Sequence, residues 1–254
     1  MTRELPRTNF HGSNLIRCLA DLALVDTADA GKAFAEELGH WVHFADAIRL
    51  SAVHGDGLAS FPKMQAEALD TARAAAVADF ERIQAFLTNS IVKSCALKPG
   101  KSHIALPPPP LELPLDLATA YPPYRRFHEA HQRDMELTIQ PLRVNVREAV
   151  AKASPRLRKL AELDVALERV LREREGKLLA KVPVLLRKHF AQLYKDHQKA
   201  LADTQQADNP AAWMRAGGWL ARFCSDMQML LLAELDLRLQ PAMGLIEAFR
   251  QDTQ

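Results

Sequence analysis

Apolar residues return every three or four positions through most of this chain, and very little of it alternates in the two-residue rhythm of a strand. That spacing places side chains on one face of a helix, so the pattern predicts an all-α fold. A first helix begins near Ser13, with Leu15, Ile16, Leu19, Leu22 and Leu24 on its apolar side. Asp26 or Thr27 caps a second, running through Phe34, Leu38, Trp41, Val42, Ala45 and Ile48 to the turn cluster at His54–Gly57. A long helix is expected from about Pro62 to Ala96, with Leu69, Ala76, Phe80, Ile83, Leu87 and Ile91 inward and Lys98-Pro99-Gly100 as its stop.

The pattern then breaks. Eight of the fifteen prolines lie between Pro99 and Pro123, four of them in the run 107–110. Residues 97–123 are therefore expected to form an extended, semi-rigid tether. One reading makes it a recognition peptide for a proline-binding domain. The favoured one is a strap lying over the helical body, held by Leu111, Leu113, Leu115 and Leu117. The expected organisation is an N-terminal helical block (1–96), the tether (97–123) and a C-terminal helical block (124–254).

Helical spacing resumes at Tyr124. Phe127, His131, Met135, Ile139, Leu142, Val146 and Ala149 form one stripe, and Pro141 should kink it near Leu137. Ser154-Pro155 reads as a cap followed by a first-turn proline. The helix after it carries Leu157, Leu160, Leu163, Leu167, Val170 and Leu171, a seam of the kind a coiled coil uses. Pro183 separates the next helix, with Leu186, Phe190, Leu193 and His197. Asn209-Pro210 should open the most apolar helix, which holds Trp213, Trp219, Leu220, Phe223, Met227, Leu230, Leu231 and Leu235. Gly217-Gly218 would lie inside it, and Pro241 would break it before a last short helix through Leu245 and Phe249.

Composition agrees with a folded helical protein: 48% of residues are hydrophobic, 25% charged, and only ten are glycine. The run Met227–Ala233 is far shorter than the ~20 residues of a membrane span. No secretory core precedes it in the first twenty residues. The chain is therefore expected to be cytoplasmic, without membrane insertion. Cys18, Cys95 and Cys224 are an odd, scattered set, which suits buried thiols in a reducing compartment and not a zinc site or disulfide framework.

Little in the sequence announces a reaction. There is no GxSxG elbow and no GxxxxGK[ST] loop. Glu37, His40 and His43 have the three-residue spacing of a metal-binding helix face, and so do His128, His131 and Asp134. Neither run completes the carboxylate-rich set of a bundle metal site. No catalytic residue, cofactor or metal is assigned.

Charge is more informative. Residues 124–199 contain 18 Lys or Arg and 10 Asp or Glu, a balance of +8, against −6 for the rest of the chain and +2 overall. Arg125, Arg126, Arg133, Arg143, Arg147, Arg156, Arg158 and Lys159 are the densest part and form the candidate binding face. Three readings stay open: a solvated face paired with Glu162, Glu168, Glu173 and Glu175, an acidic protein partner, or nucleic acid.

The segments GSNLIRCLADL, Trp41–Ile48 with the following LSAV, QPLRVNVREAV and SPRLRKLAELDVALERVLREREGKLLAKVPVLL resemble the F component (ZorF) of type III Zorya anti-phage defence systems. The resemblance spans nearly the whole chain and rests on helical patterns, not on a catalytic motif. It implies a cytosolic component working beside a proton-driven membrane motor, and it carries no catalytic residues with it. The expectation is a non-enzymatic accessory or effector acting through protein–protein contacts, with other defence proteins, or a second copy of itself, as partners. The alternative is a nucleic-acid-binding effector using the basic face of 124–199.

Overall fold

The computed structural model of the protein describes residues 14–22, 24, 66–96, 103–110 and 112–252. The expected second helix with Glu37, His40 and His43, the His54–Gly57 turn, Pro62 and the 98–100 stop lie outside the described residues.

Every regular element among the described residues is helical. They are α1 (Asn14–Asp21), α2 (Ala66–Ser94), α3 (Leu117–Ala120), α4 (Pro122–Ala151), α5 (Pro155–Leu179), α6 (Val182–Thr204), a 3₁₀ turn (Pro210–Ala212) and α7 (Trp219–Gln251). The all-α, multi-helix architecture read from the sequence is what the fold shows.

The core is built around the pairing of α4 with α7, and α2 packs against both. Along α4, Tyr124, Phe127, His128, His131, Met135, Ile139, Leu142, Val146 and Val150 are buried at helical spacing. They meet the apolar side of α7, where Phe223, Met227, Leu230 and Leu231 are fully enclosed. From α2, Leu69, Phe80, Leu87 and Ile91 enter the same core, and α1 adds Leu15 and Leu19. Helices from both sides of the proline-rich stretch thus share one interior. The stretch marks a change of backbone form, not a boundary in the packing.

That stretch behaves as a strap. Residues 105–110 are non-helical, and Ile104, Leu106, Leu115 and Leu117 pack against the core while Leu113 stays exposed. Its final part is a correction to the expected extended tether. Asp116 accepts a hydrogen bond from the Ala118 N–H and caps α3, so the chain is already helical at Leu117.

Two other expectations change, while Pro141 lies inside α4 as read. The ring leaves the Leu137 carbonyl without its helical donor, but Leu137 is 66% exposed, so solvent can satisfy it. Asn209-Pro210 caps only the 3₁₀ turn, and the apolar helix starts later, at Trp219, with Gly218 as its N-cap. The two glycines therefore make the bend into α7 and do not lie within it. Gly217 has φ +84°, and a Cβ on Gly218 would stand 2.2 Å from the Trp213 carbonyl oxygen. Finally, α7 continues through Pro241 to Gln251 instead of ending there. None of the described helices is long and apolar enough to cross a membrane.

Candidate interaction surface

The eight cations singled out in the sequence do not form one face. Arg143 and Arg147 point from α4 to α5 and close on Asp164 at 2.6 Å each, with Arg147 also 2.5 Å from Glu168. These ion pairs are largely shielded and their geometry is that of a tie between two helices. Burial pulls the Arg147 guanidinium down, but its hydrogen bonds to Glu168 and Asp164 outweigh that and raise it. The pairing by Glu168 expected of a solvated face is real, yet it is half-buried and joins two helices.

Arg125 is exposed and engages Glu129 one turn on, at 2.7 Å. Arg158 is half-buried and has interactions of its own. That leaves four. Arg126 and Arg133 are exposed, two turns apart on the same side of α4, and Leu137 extends the same line. Arg156 and Lys159 lie at the start of α5, on the lip of a cleft facing the end of α7. Among the described residues these four have no ion-pair partner.

The second histidine run is taken into the core. His131 Nε2 lies 2.8 Å from Ser94 Oγ, and that hydroxyl donates to the Ile91 carbonyl at 2.9 Å. The imidazole must then donate to the serine, which is opposite to the direction a general base needs. His128 is fully enclosed and neither ring nitrogen has a hydrogen-bond partner. Burial, with His131 and Arg238 nearby, lowers His128 to about 3. Burial lowers His131 to about 4, with Asp134 opposing. Asp134 instead faces His103 of the strap at 3.4 Å. Among the described residues no three His, Cys, Asp or Glu groups converge in metal-holding geometry. Cys95 and Cys224 are free and buried, and burial pushes their thiols up to about 11 and about 12.

Comparison with known proteins gives one match. Residues 1–251 fit a family described as a protein of unknown function, DUF3348. The chain belongs to the DUF3348 family. No curated protein and no solved structure matches it.

Three polar sites in this DUF3348 chain were not anticipated. Glu234 of α7 is fully buried and accepts from Gln132 Nε2 at 2.9 Å and Arg238 Nε at 2.9 Å. Burial pushes its carboxyl up, and those two partners pull it back. His189 of α6 lies 2.7 Å from Asp226 of α7. Asp208, in the loop after α6, accepts from His197, Trp213 and Gln198 at 2.8–2.9 Å. The sequence carried a signal for Glu234 alone: an acidic residue closing the most apolar run of the chain, four positions before an arginine. Each of these groups is occupied in holding elements together, which leaves the exposed cations as the candidate surface.

Proposed function

We propose that the protein is a non-enzymatic interaction component of a cytosolic bacterial defence assembly, engaging an acidic protein surface. The observation that carries this reading is Arg126 and Arg133 standing exposed on one side of α4, without ion-pair partners among the described residues, beside the exposed Leu137. A helix this well anchored presents them at low conformational cost, and an exposed apolar side chain in line with the cations favours a protein over a phosphate backbone. The defence context comes from the resemblance to the F component of type III Zorya systems.

The test is the double variant Arg126→Glu/Arg133→Glu in cells carrying a complete defence operon, scored by phage plating and by pull-down with the companion proteins. Loss of protection and of co-purification, with an unchanged melting temperature, is the expected result. Full protection by a normally folded variant would make these residues a solvated face. Tight binding of duplex DNA with a steep salt dependence would instead support the nucleic-acid reading.

A further inference from the structure

α5 is the least buried long helix of the fold. Only Leu157, Ala161 and Leu179 of its 25 residues are buried. Its inward side is spent on α4, through Asp164 and Glu168. Around the helix from that side run Leu160, Leu163, Leu167 and Val170, spaced three, four and three apart, and all are half-buried. Of these four only Leu160 packs against the core. The apolar seam legible in the sequence is therefore present, and beyond Leu160 it does not pack against the core formed by the described residues.

Across from it stands the carboxy-terminal half of α7. Between the two helices lies a cleft of about 400 Å³ walled by Leu157, Leu160 and Leu163 on one side and Ala248 on the other. Pro241, Gly244 and Ala248 recur three and four apart on α7, so beyond Ala248 of the cleft wall the same helix face carries little side-chain bulk. A Cβ built on Gly244 meets no atom within 4 Å, which means open space above the backbone. From Leu160 to Val170 the stripe runs about 15 Å along the axis at 1.5 Å per residue. That length and the spacing suit a helix laid along the groove better than a compact ligand.

Charge selects the helix. Arg156 and Lys159 stand on the α5 lip and have no ion-pair partner among the described residues. Among the described residues that line the cleft the one acid is Asp252, whose main-chain carbonyl is already taken by Arg73. Asp252 Oδ2 is buried without a donor. That oxygen is enclosed, so the charge an arriving helix meets is that of the two cations.

We propose that the cleft between α5 and the carboxy-terminal half of α7 receives an amphipathic helix with an acidic flank, supplied by a protein partner. The proposal rests on the reading of the protein as an interaction component, and it names the chemistry of what binds.

The probe is a synthetic peptide of about five helical turns, with leucines at i, i+3, i+4 and i+7 and glutamates on both flanks. Its twin carries lysines in place of the glutamates. Fluorescence anisotropy on the full chain should show binding of the acidic peptide only. Gly244→Leu puts a bulky side chain one turn before Ala248 on the helix that walls the cleft, and it replaces a poor helix former in open space, so the fold should survive. It should weaken binding about tenfold or more. Leu163→Glu, from the other wall, should do the same, and so should Arg156→Glu/Lys159→Glu.

The proposal is overturned if the two peptides bind alike, or if none of these variants alters binding. A dimer that Gly244→Leu converts to monomer would assign the groove to a second copy. Duplex DNA binding lost in Arg156→Glu/Lys159→Glu but kept in Gly244→Leu would assign the lip to nucleic acid. The Arg126→Glu/Arg133→Glu variant should still bind the acidic peptide, so failure at the α4 surface and failure at the groove are separable.

Discussion

Arg147 Nη2 on α4 stands 2.6 Å from Asp164 Oδ2 on α5, and both side chains are shielded, at 13% and 11% exposure. The same carboxylate takes Arg143 Nη2 on its other oxygen, at 2.6 Å, and Glu168 backs Arg147 one turn further along. One acid thus fastens two arginines of the neighbouring helix. α5 buries few apolar side chains of its own, so this charge tie carries an unusual share of its attachment.

Removing Asp164 should therefore cost more than removing any exposed charge. Asp164→Ala leaves two half-buried guanidinium groups short of an acceptor, and about 2–3 kcal/mol of destabilisation is expected. Arg126→Ala should stay within about 0.5 kcal/mol. Urea unfolding of both variants checks this, and a double-mutant cycle with Arg147→Ala should show coupling. Equal midpoints for the two single variants would mean that the tie is energetically idle.

The glycines separate by environment. Gly218→Ala drives a methyl group into the Trp213 and Ala212 carbonyls, 2.2 and 2.6 Å from its position. The bend into α7 must then open, at a cost of about 1–3 kcal/mol. Gly244→Ala enters open space within a helix and should stabilise by up to about 1 kcal/mol. Thermal melts of the pair should move in opposite directions, and a shared direction would contradict the placement of the bend.

The same contrast shows what the sequence could and could not reveal. Ser154-Pro155 was legible because a cap and a first-turn proline are local: Ser154 Oγ accepts from the Leu157 N–H at 3.2 Å, as their order implies. The stripes of α2 and α4 were legible because burial imposes their period. Pro241 misled, because a long helix packed along its length outweighs the loss of one hydrogen bond. The basic cluster misled in part because charge counting is blind to partners. Arg143 and Arg147 sit 21 and 17 residues from Asp164, which is on another helix. Only the packing of α4 on α5 reveals that these two are spent while Arg126 and Arg133 are not.

The aromatic centre should be unforgiving. Phe223 is fully buried, with its ring 4.9 Å from Phe190 and 5.6 Å from Tyr124, so it joins α7 to α6 and α4 at one point. Phe223→Ala should cost about 3–5 kcal/mol and Leu231→Ala about 2–5 kcal/mol. Both residues lie in the core of a single chain, so the loss should appear in the melting temperature at every protein concentration. A penalty that vanished at high concentration would place them in a subunit interface instead.

His128 and His131 supply an acid-sensitive term. Burial holds them at about 3 and about 4, below the ordinary histidine value of 6.5. Their folded values are depressed, so between pH 6.5 and 4 the unfolded chain binds more protons than the folded one. The sign follows: this stability is complete above pH 6.5 and is lost as pH falls toward the folded values. Each histidine contributes up to about 1.4 kcal/mol per pH unit within that window. His128 offers the cleaner test because its ring nitrogens have no hydrogen-bond partner to lose. His128→Leu should be neutral or stabilising at pH 7 and more stable than the native chain at pH 5. Denaturant titrations at both values measure the difference. An unchanged acid slope in the variant would mean that His128 is not held neutral by the core.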